Sequence, residues 1–168
     1  MFMGDKAKLA ALAALICPLV VYRLLRIGDR RTLQFAKLIS LGLYCAVILY
    51  LTLFDRSAGT ERIANLRLFW SYELFHDPQY RWQIYMNVFL FIPFGFFVPW
   101  ATGKNLLNTV LFGVLLSGAI ELCQYMFKLG LSEIDDVLHN ALGTALGYGY
   151  WKAVCTLEAR AARFESTD

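Results

Sequence analysis

Five stretches of this chain are apolar and approach the length needed to cross a lipid bilayer. That repetition constrains the fold more than any other feature. A helical span needs about 20 mostly apolar residues. The stretches are Leu9–Leu25, Leu33–Phe54, Tyr85–Ala101, Leu106–Phe127 and Asp136–Leu157. The connections between them leave no room for a separate soluble domain. Only 17% of the 168 residues are charged, against 58% hydrophobic, whereas a soluble domain carries about 25% charged residues. Backbone inside hydrocarbon must satisfy its own hydrogen bonds. The expected architecture is therefore all-α: a polytopic transmembrane helical bundle of about five spans, with residues 1–168 as one domain. Lys6 and Lys8 precede the first stretch as in a secretion signal, but Arg23 and Arg26 follow it and no small-x-small cleavage site does. It is read as a retained span.

Basic residues set the expected orientation, because Lys and Arg collect in cytoplasmic loops. Arg23, Arg26, Arg30, Arg31 and Lys37 mark the first loop, Lys104 the third, and Lys152, Arg160 and Arg163 the C-terminal region. This predicts the N-terminus outside and the C-terminus inside, with the segment 55–84 and the turn 128–135 on the outer face. Trp82, Tyr85 and Tyr125 fall at outer boundaries, and Trp100 and Trp151 at inner ones, where amphipathic rings favour the headgroup level. The outer stretch "NLRLFWSYELF" (Asn65–Phe75) is either an interfacial amphipathic helix or a loop with buried anchors. A formal charge of +3 is too small to imply a nucleic-acid partner. Cys17, Cys45, Cys123 and Cys155 lie in four different apolar stretches without CxxC or zinc-type spacing, so they read as small buried hydrophobes. No metal or other cofactor is implied.

The polar residues of the last two stretches are the ones that require explanation. Taking the turn at Gly130, Glu121 and His139 are equally distant from it, as are Gln124 and Asp136. At 1.5 Å per residue Glu121 lies roughly 10 Å below the surface. Glu121 and Gln124 are spaced i, i+3 and Asp136 and Asn140 i, i+4, so each pair shares a helix face. Gly143 and Gly147 extend the second face inward, where small residues let two helices approach closely. His139 lies one position off that face. In the third stretch, Asn87 is expected to face Gln124 and Asp136. Pro93, followed by Gly95, is expected to kink the helix and free a carbonyl near residue 89. A carboxylate at mid-membrane costs about 2.5–3.5 kcal/mol on insertion scales, less at a shallower depth. Glu121 therefore needs a partner or a raised pKa; spans three to five offer no Lys or Arg nearby, and Arg67 or Arg81 of the outer segment could reach down to it. Ser132 and Asp135 have the spacing of a capping box, which favours a helix-cap role for Asp135.

The candidates are thus Asn87, Glu121, Gln124, Asp135, Asp136 and Asn140 for binding, and Glu121, Asp136 and His139 for any proton transfer. Pro93, Gly95, Gly143 and Gly147 are the candidates for helix packing. Three elements, "NVFLFIPFGF" (Asn87–Phe96), "ELCQ" (Glu121–Gln124) and "EIDDVLHNALGTALGY" (Glu133–Tyr148), occur in the order in which the sequence resembles the VanZ-like family. The resemblance covers about residues 65–148, preceded by two spans in 1–54 and followed by a cytoplasmic tail, 158–168. It implies a multi-pass protein of the bacterial cytoplasmic (inner) membrane, with relatives that lower susceptibility to teicoplanin and related lipoglycopeptides. Three functions follow as alternatives. The first is an envelope protein that binds membrane lipid, a lipid-linked cell-wall precursor or a lipoglycopeptide in an outer-leaflet polar pocket. The second is an embedded enzyme acting on a lipid headgroup, although no nucleophile elbow, HExxH or phosphate loop is present. The third is a small transporter, for which five spans without an internal repeat would need a homo-oligomer.

Overall fold

The computed structural model describes residues 16–23, 30–54, 56 and 58–165. A helical segment at 16–23 (α1) precedes α2, Arg30–Leu49, whose last turn widens into a π-helical turn, Tyr50–Phe54. Then follow strand β1 (Ile63–Asn65), the single-turn helix α3 (Trp70–Glu73), α4 (Pro78–Thr102), α5 (Leu106–Phe127), strand β2 (Leu131–Glu133) and α6 (Ile134–Glu165). Among the described residues, three helices are long and apolar enough to cross a membrane: Arg31–Phe54, Pro78–Thr102 and Leu106–Phe127. The expected first span lies largely outside the described residues. The expected fifth span is α6, 32 residues long. It has the length to cross, but its Asp, His, Asn and glycine content lowers its hydropathy.

Local chemistry sets the helix ends. Asp77 accepts a hydrogen bond from Gln79 N (2.8 Å) and Pro78 stands at the first helical position, where its missing N–H costs nothing. Helix α4 therefore starts seven residues before the Tyr85 start expected from hydropathy. It stops at Gly103, whose φ of 69° is left-handed, a conformation glycine adopts without penalty. Asn105 then caps α5 by accepting from Asn108 N (3.0 Å). The all-α expectation needs one correction: β1 and β2 pair in parallel, Ile63 with Leu131 and Asn65 with Glu133. Gly59 N–H donates to Lys128 O (2.6 Å), and Lys128 Nζ to Thr60 O (3.0 Å). These bonds strap the segment after α2 onto the α5–α6 turn. The stretch 65–75 is neither a continuous amphipathic helix nor plain loop, since only Trp70–Glu73 is helical.

Helix α4 is the centre of the bundle. Two-thirds of its apolar window is buried, against 6% for that of α2. Phe91, Phe94, Val98, Ile48 and Ile120 form one buried cluster, and Phe96, Phe97, Trp100, Tyr22 and Val154 another. Trp100 and Trp151 therefore belong to an aromatic cluster around Tyr22 and Phe96, with centroid separations of 5.5–5.7 Å from Trp151 to these two rings and 5.6 Å from Trp100 to Tyr22. Trp100 is buried rather than part of an interfacial belt. Tyr22 also hydrogen-bonds Glu158, tying α1 to the far end of α6.

The small residues act between α4 and α6. A methyl group on Gly143 would lie 2.2 Å from Val88 O, one on Gly147 2.0 Å from Ile92 O, and one on Gly95 2.0 Å from Thr144 O. The sequence suggested that the glycine stripe of α6 closes on α5. It closes on α4 instead, while α5 meets α6 through Gly113 against the Thr144 side chain. Pro93 sits inside α4. The Tyr44 hydroxyl of α2 donates to Leu90 O (2.8 Å), one residue beyond the carbonyl that Pro93 deprives of its donor.

Candidate functional site

The strapped end of the bundle, with the segment 56–77 and the turn 128–133, gathers most of the buried polar groups. Its framework is set by Asp135. The carboxylate accepts from Phe69 N (2.7 Å), Ser71 N (3.0 Å) and Ser71 Oγ (2.7 Å). Phe69 has a positive φ of 63° and supplies no side-chain cap to α3, so an acid from α6 takes that place. A carboxylate is well suited to it, since backbone N–H groups at a helix start carry partial positive charge. Burial pushes this carboxyl up, but the donors from Ser71 and Phe69 outweigh it and hold the group below the usual carboxylate range. The capping role foreseen for Asp135 is therefore exercised on another helix. Ser132, the supposed partner in a capping box, lies in β2.

Ordering 69–72 in this way sets Tyr72 against α6. Its hydroxyl is 3.1 Å from His139 Nε2, and the two rings lie 5.7 Å apart. His139 Nδ1, buried and without a hydrogen-bond partner, is 3.9 Å from Asp136 Oδ1. Tyr72 is half exposed, whereas His139 and Asp136 are buried. A line of polar atoms thus runs from the surface inward.

Between α5 and α6, Glu121 Oε2 accepts from Glu133 N (2.8 Å) and Asn140 Nδ2 donates to Ser117 Oγ (2.7 Å). Ser117 lies one helical turn from Glu121, so both contacts use the same face of α5. The charges acting on Glu121 are those of Asp136 and Arg56. The base expected to reach Glu121 is therefore neither Arg67 nor Arg81. Arg67 pairs with Glu73, and Arg81 lies over the Phe75 ring at 5.9 Å. Glu133 is the third acid. Its Oε2 accepts from Gln83 Nε2 (2.7 Å), while its Oε1 is buried without a partner and the Trp70 indole points toward it without completing a hydrogen bond. Burial first, and the Asp136 charge second, push this carboxyl above the usual range.

Two of the sequence candidates make no hydrogen bond within the mouth. Gln124 turns to the π-helical turn of α2, where its Nε2 donates to Thr52 O (3.1 Å). Asn87 Nδ2 is buried with no hydrogen-bond partner, so its amide N–H bonds neither Gln124 nor Asp136. Glu121, Asp136, His139 and Asn140 share the α5–α6 mouth, with Asp135 bracing the segment above it. Sequence reasoning missed Arg56, Ser71, Tyr72, Gln83 and Ser117. Ser117 was accessible to it, lying four residues before Glu121. The others come from distant segments that periodicity does not connect.

Within the mouth, Asn140 Oδ1 and His139 Nδ1 are buried without partners; nearby, so are Gln124 Oε1 toward α2 and Glu133 Oε1 on β2. Buried polar atoms of this kind are costly unless a ligand or water fills them. No group of three or more His, Cys, Asp or Glu among the described residues is arranged to hold a metal ion. The family model VanZ/LLP1 matches residues 41–156, a stretch that contains α4, α5, both strands and every residue of this site. No curated protein and no solved structure matches the chain.

Proposed function

The chain belongs to the VanZ/LLP1 family, and from that premise we propose that it is an integral protein of the bacterial inner membrane that binds a lipid-linked envelope component or a teicoplanin-type lipoglycopeptide and lowers antibiotic susceptibility. In this reading the stretch Leu9–Leu25 and α6 cross the bilayer with α2, α4 and α5, making five spans with the N-terminus outside and the C-terminus inside. The strapped end then faces the outer leaflet, where lipid-linked precursors and lipoglycopeptides meet the membrane. One observation carries the proposal. Buried polar groups, Glu121, Asp136, His139 and Asn140, of which His139 Nδ1 and Asn140 Oδ1 lack hydrogen-bond partners, lie beneath a surface that exposes Leu66, Leu68, Phe69 and Tyr72. Such a combination suits a ligand with an apolar anchor and a hydrogen-bonding head. Family membership links the chain to glycopeptide resistance, and the acceptor-rich mouth suits amide and hydroxyl donors of peptide or sugar.

Binding of fluorescent teicoplanin and of a polyprenyl-linked cell-wall precursor to the purified chain tests this directly. Wild type should bind at least one, and the double variant Glu121→Gln, Asp136→Asn should bind it at least about tenfold more weakly, the loss of one or two charge-assisted contacts. Equal binding by both proteins removes this mouth from consideration. A second reading, an enzyme acting on a lipid headgroup, is favoured by the Tyr72–His139–Asp136 line alone. It requires turnover of an envelope lipid that disappears in His139→Gln.

A further inference from the structure

Beside β2, the strapped end holds a cleft of about 240 Å³, lined by Arg56, Gln79, Tyr80, Gln83, Leu131 and Glu133. Glu133 touches both this cleft and the Glu121 mouth: its backbone N–H donates to Glu121, and its side chain lines the cleft. We propose that this cleft binds the zwitterionic phosphoethanolamine headgroup of a membrane lipid, with the ammonium on Glu133 and the phosphate on Arg56.

Four observations carry the assignment. Glu133 is only 3% exposed, and one of its carboxylate oxygens has no completed hydrogen bond, the Trp70 indole N–H on that side stopping short of one. A buried acceptor of this kind calls for an N–H or O–H. Second, Arg56 is exposed at the rim, and its one hydrogen bond is a long contact to Leu129 O at 3.5 Å. Its guanidinium is free to take a phosphate oxygen. Third, no ion pair joins Arg56 to Glu133 among the described residues, although both line one cleft. Two opposite charges held apart across a small space match a ligand that carries both, separated by a short spacer. Fourth, the size is discriminating. At about 240 Å³ the cleft is smaller than pockets that enclose drug-sized ligands, about 300–1,000 Å³, and that size suits a headgroup of about eight non-hydrogen atoms such as phosphoethanolamine. A glycopeptide or a disaccharide–peptide is far too large. A choline headgroup has the same charges but no N–H, so it leaves the Glu133 oxygen unfilled. A glycerol headgroup lacks the cation.

The inference rests on the reading that this end of the bundle lies at headgroup level, and uses the Glu133 side chain, which the Glu121 contact, made by the Glu133 backbone N–H, leaves out. In the test, the full chain in mild detergent is titrated with short-chain phosphatidylethanolamine, phosphatidylcholine and phosphatidylglycerol, and binding is read by native mass spectrometry. Phosphatidylethanolamine should bind about tenfold tighter than either of the others, the factor expected for one charge-assisted hydrogen bond. Glu133→Gln should abolish the preference over phosphatidylcholine. Arg56→Gln, a substitution at an exposed rim position that leaves the fold intact, should weaken all three phosphate-bearing lipids. Equal affinity for the three lipids in wild type, a preference that survives Glu133→Gln, or Arg56→Gln binding like wild type overturns the assignment. Failure to bind lipoglycopeptide or precursor with the lipid preference intact overturns the function proposed for the Glu121 mouth and leaves this site standing.

Discussion

The contact between α4 and α6 makes a sharp forecast for single methyl groups. In Gly147→Ala the new Cβ would lie 2.0 Å from Ile92 O and 2.8 Å from Gly95 Cα. Both neighbours are backbone, so no rotamer change relieves the clash. Reaching even the 3.0 Å below which real Cβ atoms essentially never approach a neighbour requires the helices to part by about 1 Å. A gap of that size forfeits up to about half of the dispersion energy across the seam. Overpacking in a well-packed core costs about 1–3 kcal/mol, and the upper end applies where backbone opposes backbone. Alanine returns about 1 kcal/mol through its greater helix propensity, so the net loss should be about 2 kcal/mol. At Gly149, two residues on in the same helix, an added methyl would meet nothing within 4 Å, and Gly149→Ala should stabilise by up to about 1 kcal/mol. The two variants should therefore differ by about 3 kcal/mol in equilibrium unfolding from mixed micelles, with opposite signs relative to wild type. Gly147→Ala matching Gly149→Ala would refute the close α4–α6 approach.

Further expectations follow from the strapped end. Asp135→Asn removes charge-assisted bonds to Phe69 N and to Ser71 and should cost about 1–3 kcal/mol, seen as faster amide exchange across 66–75. Because the carboxyl of Asp135 is held below its usual range, its stabilisation is present above the unfolded-state carboxylate pKa and is lost as pH falls through the lowered folded value. Stability of wild type should drop in that acid window, and Asp135→Asn should flatten the drop. Glu133 has the opposite sign: its folded pKa is raised, so its contribution is full below the unfolded value and is lost as pH rises through the folded one. Glu133→Gln should remove that decline. In a cysteine-free background, Ala58→Cys should react with an impermeant maleimide on intact cells and Lys104→Cys should not; the reverse pattern would invert the proposed orientation.

How far the sequence announced this fold differs by element. Helix α5 has the bounds expected from hydropathy, Leu106–Phe127, because a predominantly apolar run lies between an Asn cap and a turn. The start of α4 was missed because 78–84 is polar, although Asp77–Pro78 is itself a start signal. The three-residue strands were invisible, since each is too short for an alternation pattern and their pairing joins residues far apart in the chain. The glycines of α6 signalled close packing without naming the partner helix: a stripe of small residues fits any neighbour, and only the matching Gly95 across the seam selects α4. At the site, Glu121, Asp136, His139 and Asn140 were recognisable because polar residues stand out in apolar helices. Arg56, Ser71, Tyr72 and Gln83 lie in polar surroundings, where nothing in a single sequence sets them apart.

The most direct measurement of the central claim, that the α5–α6 mouth holds a ligand, is native mass spectrometry of the chain purified from its own membrane in mild detergent, beside Glu121→Gln prepared identically. The account predicts a discrete adduct on wild type, with the mass of a lipid-linked envelope component, that is lost or strongly depleted in the variant. An adduct present to the same extent on both proteins would contradict it.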